Sequence, residues 1–215
     1  MAEFAIQRRT MVDNQIRTVD VTDHGVIAAF LTVGREAFVP TAMRDLAYID
    51  RPIDLGGGRA MMQPAPLAKL IQLAAPRAGE KVLIVGGNTG YAAAIVAAMG
   101  ATVTTLDQDP ALVAVARGAL ADVPGATVVE GPLAAGWPAG APYDLVILDG
   151  AAEEIPAALD AQVAEGGRIV YIDGEGLAAR ATVAVRSSGR VSSRTVFNLP
   201  GRLLPGFAKP VAFAL

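Results

Sequence analysis

The sequence predicts a doubly wound α/β fold: a mostly parallel, seven-stranded sheet with a helical extension before it and an antiparallel hairpin at its end. Three observations predict it. After Lys81, short apolar or β-branched runs alternate with helix-length segments, the pattern of parallel strands joined by right-handed crossovers. Leu145-Val146-Ile147-Leu148 is unbroken and apolar, as a strand covered on both faces requires. In the tail, Ala181 to Val185 and Val191 to Phe197 flank Ser187-Ser188-Gly189, which reads as a hairpin. The expected division is a helical segment with a loop over 1–76 and the α/β part over 77–215, packed as one unit.

In chain order, residues 1–50 read as helical. Thr22 is the expected N-cap of a helix carrying Val26, Ile27, Phe30 and Leu31. Pro40-Thr41 opens a short helix through Met43, Leu46 and Ala47. Arg51 to Met62 reads as a loop, because Gly56-Gly57-Gly58 suits neither helix nor strand. Gln63-Pro64 starts an apolar helix that ends at Pro76. Val82 to Val85 is a strand, Tyr91 to Ala98 a helix, and Thr102 to Leu106 a β-branched strand. Pro110 begins the next helix. Thr127-Val128-Val129 and Leu145 to Leu148 are strands. Pro156 to Val163 is a helix, Gly166-Gly167 a turn, and Arg168 to Ile172 a strand.

Composition narrows the function. Hydrophobic residues are 53% and charged residues 18% of 215, enough for a large core. Aromatics are only 5%, so that core is aliphatic and alanine-rich. The net charge of -3 and the lack of a basic run argue against binding driven by nucleic-acid phosphates. There is no cysteine, which excludes disulfides, thiolate metal sites and a cysteine nucleophile. His24 is the single histidine, a surface residue in this reading, and no metal site is expected. The first residues lack an apolar segment of signal-peptide length. Val82 to Leu106 carries no charge, but its glycine-rich break would leave backbone polar groups bare in lipid. The expectation is a cytoplasmic chain with no membrane span.

The most informative local feature is Val85-Gly86-Gly87-Asn88-Thr89-Gly90-Tyr91. It takes a parallel strand through a glycine turn into a helix, where α/β sheets collect ligands. Asp107 closes the next strand, where a carboxylate accepts hydrogen bonds from ribose hydroxyls. Gly86, Gly87, Asn88, Thr89, Gly90, Asp107 and Gln108 are therefore the expected cofactor residues. The six-residue dinucleotide fingerprint fails, since Asn88 and Tyr91 stand where glycines belong. The shorter glycine pattern of S-adenosylmethionine (AdoMet) methyltransferases fits better, with Asn88 at its middle glycine. Asn tolerates the left-handed conformation needed there.

Many short segments in order resemble the protein-L-isoaspartate O-methyltransferase family. They include Met11 to Arg17, Thr22-Asp23-His24, Arg35 to Pro40, Leu46-Ala47-Tyr48, Asp50 to Ile53 and Gln63-Pro64. Gly136-Trp137-Pro138, Ala141 to Asp144, Glu154-Ile155-Pro156 and Gly166-Gly167-Arg168 follow. The resemblance implies an AdoMet-dependent, Rossmann-like fold. It also implies methyl transfer to the α-carboxylate of isoaspartyl residues in damaged proteins, and so an isoaspartyl protein or peptide as partner.

The chain departs from that pattern around the implied chemistry. Ala60, Met61 and Met62 stand where the family has Thr-Ile-Ser, so neither hydroxyl remains. Ile84 and Pro132 replace two family acids, and Asp149 replaces a threonine. Gly57, Gly58, Arg59, Met62 and Gln63 are the implied substrate-loop residues, and no catalytic residue is assigned. Met61 and Met62 either reshape that pocket or pack as core. Arg59 beside three glycines reads as a solvated loop residue, or as a bidentate partner for a substrate carboxylate. An active carboxyl methyltransferase is the leading expectation. A member that lost catalysis or changed its acceptor is the alternative.

Overall fold

Residues 2–209 are described by the structure, a computed structural model. The N-terminal segment holds α1 (Ala2–Met11), which runs on through a π-helical turn at Val12–Ile16, and α2 (His24–Thr32). The N-cap of α2 is Asp23 rather than Thr22: its carboxylate accepts from Val26 N–H at 2.9 Å. The N–H of Thr22 instead donates to Gln72 Oε1 at 2.7 Å. A 3₁₀ stretch at Thr41–Leu46 takes the place of the short helix expected after Pro40.

Residues 51–62 are not a loop. They form a hairpin of β1 (Ile53–Gly56) and β2 (Arg59–Met61), pairing Ile53 with Met61 and Asp54 with Ala60. Gly56, Gly57 and Gly58 have φ of 84°, 57° and 77°. Successive positive φ values are what a tight hairpin reversal needs, so the glycines that argued against strands are what joins them. Arg59 and Met61 share the buried face of β2, as its period of two dictates.

Next come α3 (Pro64–Ala74), β3 (Lys81–Val85), α4 (Tyr91–Ala98), β4 (Thr102–Asp107), α5 (Pro110–Ala119) and β5 (Ala126–Glu130). The chain ends with β6 (Tyr143–Ala152), α6 (Ala157–Asp160), β7 (Val163–Asp173), β8 (Arg180–Ser187) and β9 (Arg190–Asn198). The seven-stranded sheet has the order β5-β4-β3-β6-β7-β8-β9. Strands β3 to β7 are parallel, and β8 and β9 are antiparallel. The helix expected over Pro156 to Val163 is a single turn, α6. Beyond it Gln162 is buried and tied to Ala135 O, Ala158 O and Trp137 N–H, and Val163 already pairs with Tyr143. Gly166-Gly167 lies within β7, where the register with β6 shifts.

Alternation sorts β3 between two cores. Val82 and Ile84 join a cluster with Met11, Phe30, Leu67 and Ile95. Leu83 and Val85 join another with Leu106, Val146, Leu204 and Phe207. The first cluster spans the N-terminal helices and the sheet, so α4 lies between them. Six of its residues, Tyr91 to Val96, are buried. That burial on all sides explains an alanine-rich helix without a polar stripe.

Candidate functional site

β3 lies between β4 and β6, so its carboxyl end is the point where the winding of the sheet reverses. There the chain turns sharply. The N–H groups of Gly86 and Gly87 both donate to Leu106 O, at 2.9 and 3.0 Å. A Cβ on Gly87 would lie 1.8 Å from Thr105 Oγ1, so close approach to β4 requires glycine. Asn88 adopts φ 53°, the left-handed conformation expected of it. Gly90, with φ 95°, leads into α4.

Asp107 sits beside this turn and is 2% exposed. Its Oδ2 accepts from Asn88 N–H at 2.9 Å, and its Oδ1 from the N–H groups of Gln108 and Asp109 at 2.8 and 3.1 Å. The fold thus brings the turn, Asp107 and the Gln108 backbone together. The Gln108 side chain is exposed.

Arg59 is not a solvated loop residue. It is 7% exposed and grips Asp107 with both ends of its fork, Nη1 to Oδ1 at 3.0 Å and Nη2 to Oδ2 at 2.8 Å. Nη2 also donates to Gly86 O at 3.1 Å and Asn88 Oδ1 at 2.9 Å. The carboxylate it holds belongs to the chain itself. Leu204 covers the turn together with Arg59: its Cδ2 lies 2.7 Å, and Arg59 Nη2 3.3 Å, from where a Cβ on Gly86 would stand. Residues 86–90 are all buried. Neither cover was read from the sequence. Leu204 carried no local signal, and Arg59 lies 48 positions from Asp107.

Beside the turn lies a cavity of about 190 Å³ whose lining includes Gly58, Arg59, Met62, Gln63, Asp149 and Leu204. Ala60 faces it with no hydroxyl. Met61, 2% exposed, opposes Ile53 and packs as core. Met62 is half-buried and lines the cavity while touching that core. Gly57 is exposed at the hairpin tip. Ile84 is fully buried in core, and Pro132 is exposed before a 3₁₀ turn. His24 is exposed at the start of α2. Among the described residues, no cluster of His, Asp or Glu has the makings of a metal site. No described helix is long and apolar enough to cross a membrane.

Asp149 is the acid that lines the cavity. Asn88 Nδ2 donates to its Oδ2 at 3.3 Å, while Oδ1 has no partner. Burial pushes its carboxyl up to about 6 from an ordinary 3.8, opposed by Asn88, Arg59 and Arg35. A carboxyl raised on folding binds its proton more tightly in the native state. Its contribution is therefore complete below the unfolded value and lost as pH rises through the folded one. Asp149→Asn should flatten stability between pH 4 and 6 and raise it at pH 7 by about 3 kcal/mol. Urea melts of both proteins across that range check this; parallel curves would mean that Asp149 titrates like a solvated carboxyl.

The donor set suits a nucleoside cofactor. A strand-end carboxylate for ribose hydroxyls stands beside a glycine turn and the N-terminus of α4. Two buried oxygens near the turn, Thr89 Oγ1 and Asp149 Oδ1, lack partners. At about 190 Å³, the cavity alone is smaller than the 300–1,000 Å³ usual for such ligands. Arg59 stands on the carboxylate such a ligand would use.

The sequence model of the "Protein-L-isoaspartate(D-aspartate) O-methyltransferase" family matches residues 6–198. The chain is 42% identical over 169 residues to protein-L-isoaspartate O-methyltransferase 1 of Rhodopseudomonas palustris strain HaA2, covering 78% of this chain and 69% of that one. It is 37% identical over 201 residues to protein-L-isoaspartate O-methyltransferase 2 of Anaeromyxobacter sp. strain Fw109-5, covering 93% and 82%. Among solved structures, the fold is similar to a Plasmodium falciparum protein described as a protein-L-isoaspartate O-methyltransferase in complex with S-adenosyl-L-homocysteine. That likeness has a TM-score of 0.79 at 16% identity and covers 92% of this chain and 97% of that one. Shared sequence from the first helix to the last strand, on a sheet whose switch point carries the glycine turn and Asp107, places the chain in the protein-L-isoaspartate (D-aspartate) O-methyltransferase family.

Proposed function

We propose that the chain is an AdoMet-dependent carboxyl methyltransferase that methylates the α-carboxylate of isoaspartyl residues in proteins or peptides. The observation that carries this reading is the Asp107 carboxylate bonded to the turn through Asn88 N–H at 2.9 Å, at the sheet's switch point in a chain of this family. Asp107 would hold the ribose, and the backbone of Gly86 to Asn88 with the N-terminus of α4 would hold the rest. Bound AdoMet supplies an activated methyl group.

The acceptor asks little of the protein's acid–base chemistry. A peptide carboxylate, with a reference pKa of about 3.9, is ionised at neutral pH, so no general base is needed. What the chain contributes is alignment and exclusion of water. Without hydroxyls at Ala60 and Met62, polar contacts to an acceptor fall to the hairpin backbone, Gln63, Arg59 and Arg202. Losing one hydroxyl contact to a carboxylate costs about 1.5–3 kcal/mol, a slowing of about 10- to 100-fold.

The test is transfer of labelled methyl from AdoMet to an isoaspartyl peptide. Wild type should transfer slowly, and Met62→Ser with Ala60→Thr should gain about 10-fold or more. Absence of transfer by both proteins, with AdoMet bound, would defeat the proposed acceptor. Absence of AdoMet binding by both would leave the inherited fold without its reaction.

A further inference from the structure

Asp107 has no acceptor capacity to spare. Arg59 Nη1 and the N–H groups of Gln108 and Asp109 reach Oδ1, and Arg59 Nη2 and Asn88 N–H reach Oδ2. A carboxylate offers about four lone-pair sites, and five donors already converge here. Three of them are backbone groups of the turn and of the start of α5, fixed by the sheet. Arg59 is the exchangeable partner. It rides on a hairpin that forms a sheet of its own, separate from the seven-stranded one. Its glycine link is exposed, and a Cβ on Gly56 or Gly58 would meet nothing within 4 Å. The hairpin tip can shift without breaking a strand of the main sheet.

A guanidinium that leaves Asp107 but stays in the protein needs another anion, because an unpaired buried charge is costly. Arg59 already lines the cavity beside Met62 and Gln63. Asp149 lines the cavity too, with one oxygen that has no partner, and the exposed Arg202 stands at the same lining. With Arg59 turned inward the cavity gains a buried, forked cation that a carboxylate can meet with two oxygens.

We propose that Arg59 serves two carboxylates in turn: bound to Asp107 it closes the ribose position, and displaced from Asp107 by the cofactor it grips the acceptor's carboxylate, in place of the hydroxyls missing at Ala60 and Met62. The inference rests on the carboxyl methyltransferase reading above. It makes binding ordered, with the nucleoside first and the acceptor second, and makes Arg59 the specificity-determining residue of the acceptor site.

Calorimetric titration of the full chain tests it without turnover, with S-adenosylhomocysteine and an isoaspartyl peptide as probes. Wild type should bind the peptide only when S-adenosylhomocysteine is present. Arg59→Gln should bind S-adenosylhomocysteine about tenfold tighter, and the peptide about tenfold weaker in its presence. Arg59→Lys, which keeps the charge but loses the fork, should fall between them, and it carries the test if the Gln variant does not melt cooperatively. Should wild type bind S-adenosylhomocysteine and neither variant bind it tighter, the proposal fails while the cofactor reading stands. Unchanged peptide affinity in both variants also overturns it. If none of the three proteins binds S-adenosylhomocysteine, the cofactor reading fails and the proposal with it.

Discussion

Replacing Arg35 with alanine is expected to destabilise the protein by about 4–5 kcal/mol. Arg35 is fully buried, yet its cation is used by three separate parts of the chain. Nε donates to Ala47 O at 2.8 Å, Nη2 donates to Met62 O at 2.7 Å, and the guanidinium lies 4.9 Å from the Tyr91 ring centroid. It therefore ties the N-terminal segment and the residue after β2 to the first turn of α4. Burial lowers its pKa, the mark of a desolvation cost that these contacts offset. Truncation leaves two carbonyls without donors, at about 1–3 kcal/mol each, and opens a cavity besides. Arg35→Met would refill much of the volume without the bonds, and should recover roughly half of the loss. Urea unfolding of the three proteins at equal slope measures this. A loss under about 1 kcal/mol for alanine would mean that the desolvation cost cancels the contacts. Because Met62 lines the cavity, loosening its carbonyl should also weaken any ligand held there.

Gly87→Ala is expected to cost about 3–5 kcal/mol. The added Cβ would stand 1.8 Å from Thr105 Oγ1, and Thr105 is 2% exposed. Ordinary contact needs about 3.5 Å, more than a rotamer adjustment in a packed strand supplies. The turn must lift instead, straining the two N–H bonds to Leu106 O and pulling Asn88 N–H away from Asp107. Thr105→Ala in the same background removes the clashing oxygen and leaves the strand's Cβ 3.2 Å away, so it should restore about 2 kcal/mol. Thermal melts of the double-mutant cycle decide the matter. A Gly87→Ala protein as stable as wild type would show that the turn is not pinned to β4, and that Asp107 is not held by it.

The parallel core was legible because it follows from local chemistry. Continuous apolar runs such as Leu145 to Leu148 have no polar face to show solvent, and each became a strand covered on both sides. Asn88 and Asp107 were legible for the same reason: a left-handed turn after one strand and a carboxylate closing the next are properties of neighbouring residues. The hairpin at residues 53–61 was not legible, since strands of four and three residues around Gly56-Gly57-Gly58 carry too little pattern to outweigh the glycines.

By itself the sequence determined the order of strands and helices from β3 onward, the site of the glycine turn and the family. The tertiary structure alone decided what stands at that turn: Arg59 arriving from 48 residues away and Leu204 from the far end. Side-chain periodicity tells which face a residue takes within its own element. Which partner it meets there depends on how distant elements are laid against one another, and for a charged residue that meeting decides between a solvated loop and a buried ion pair.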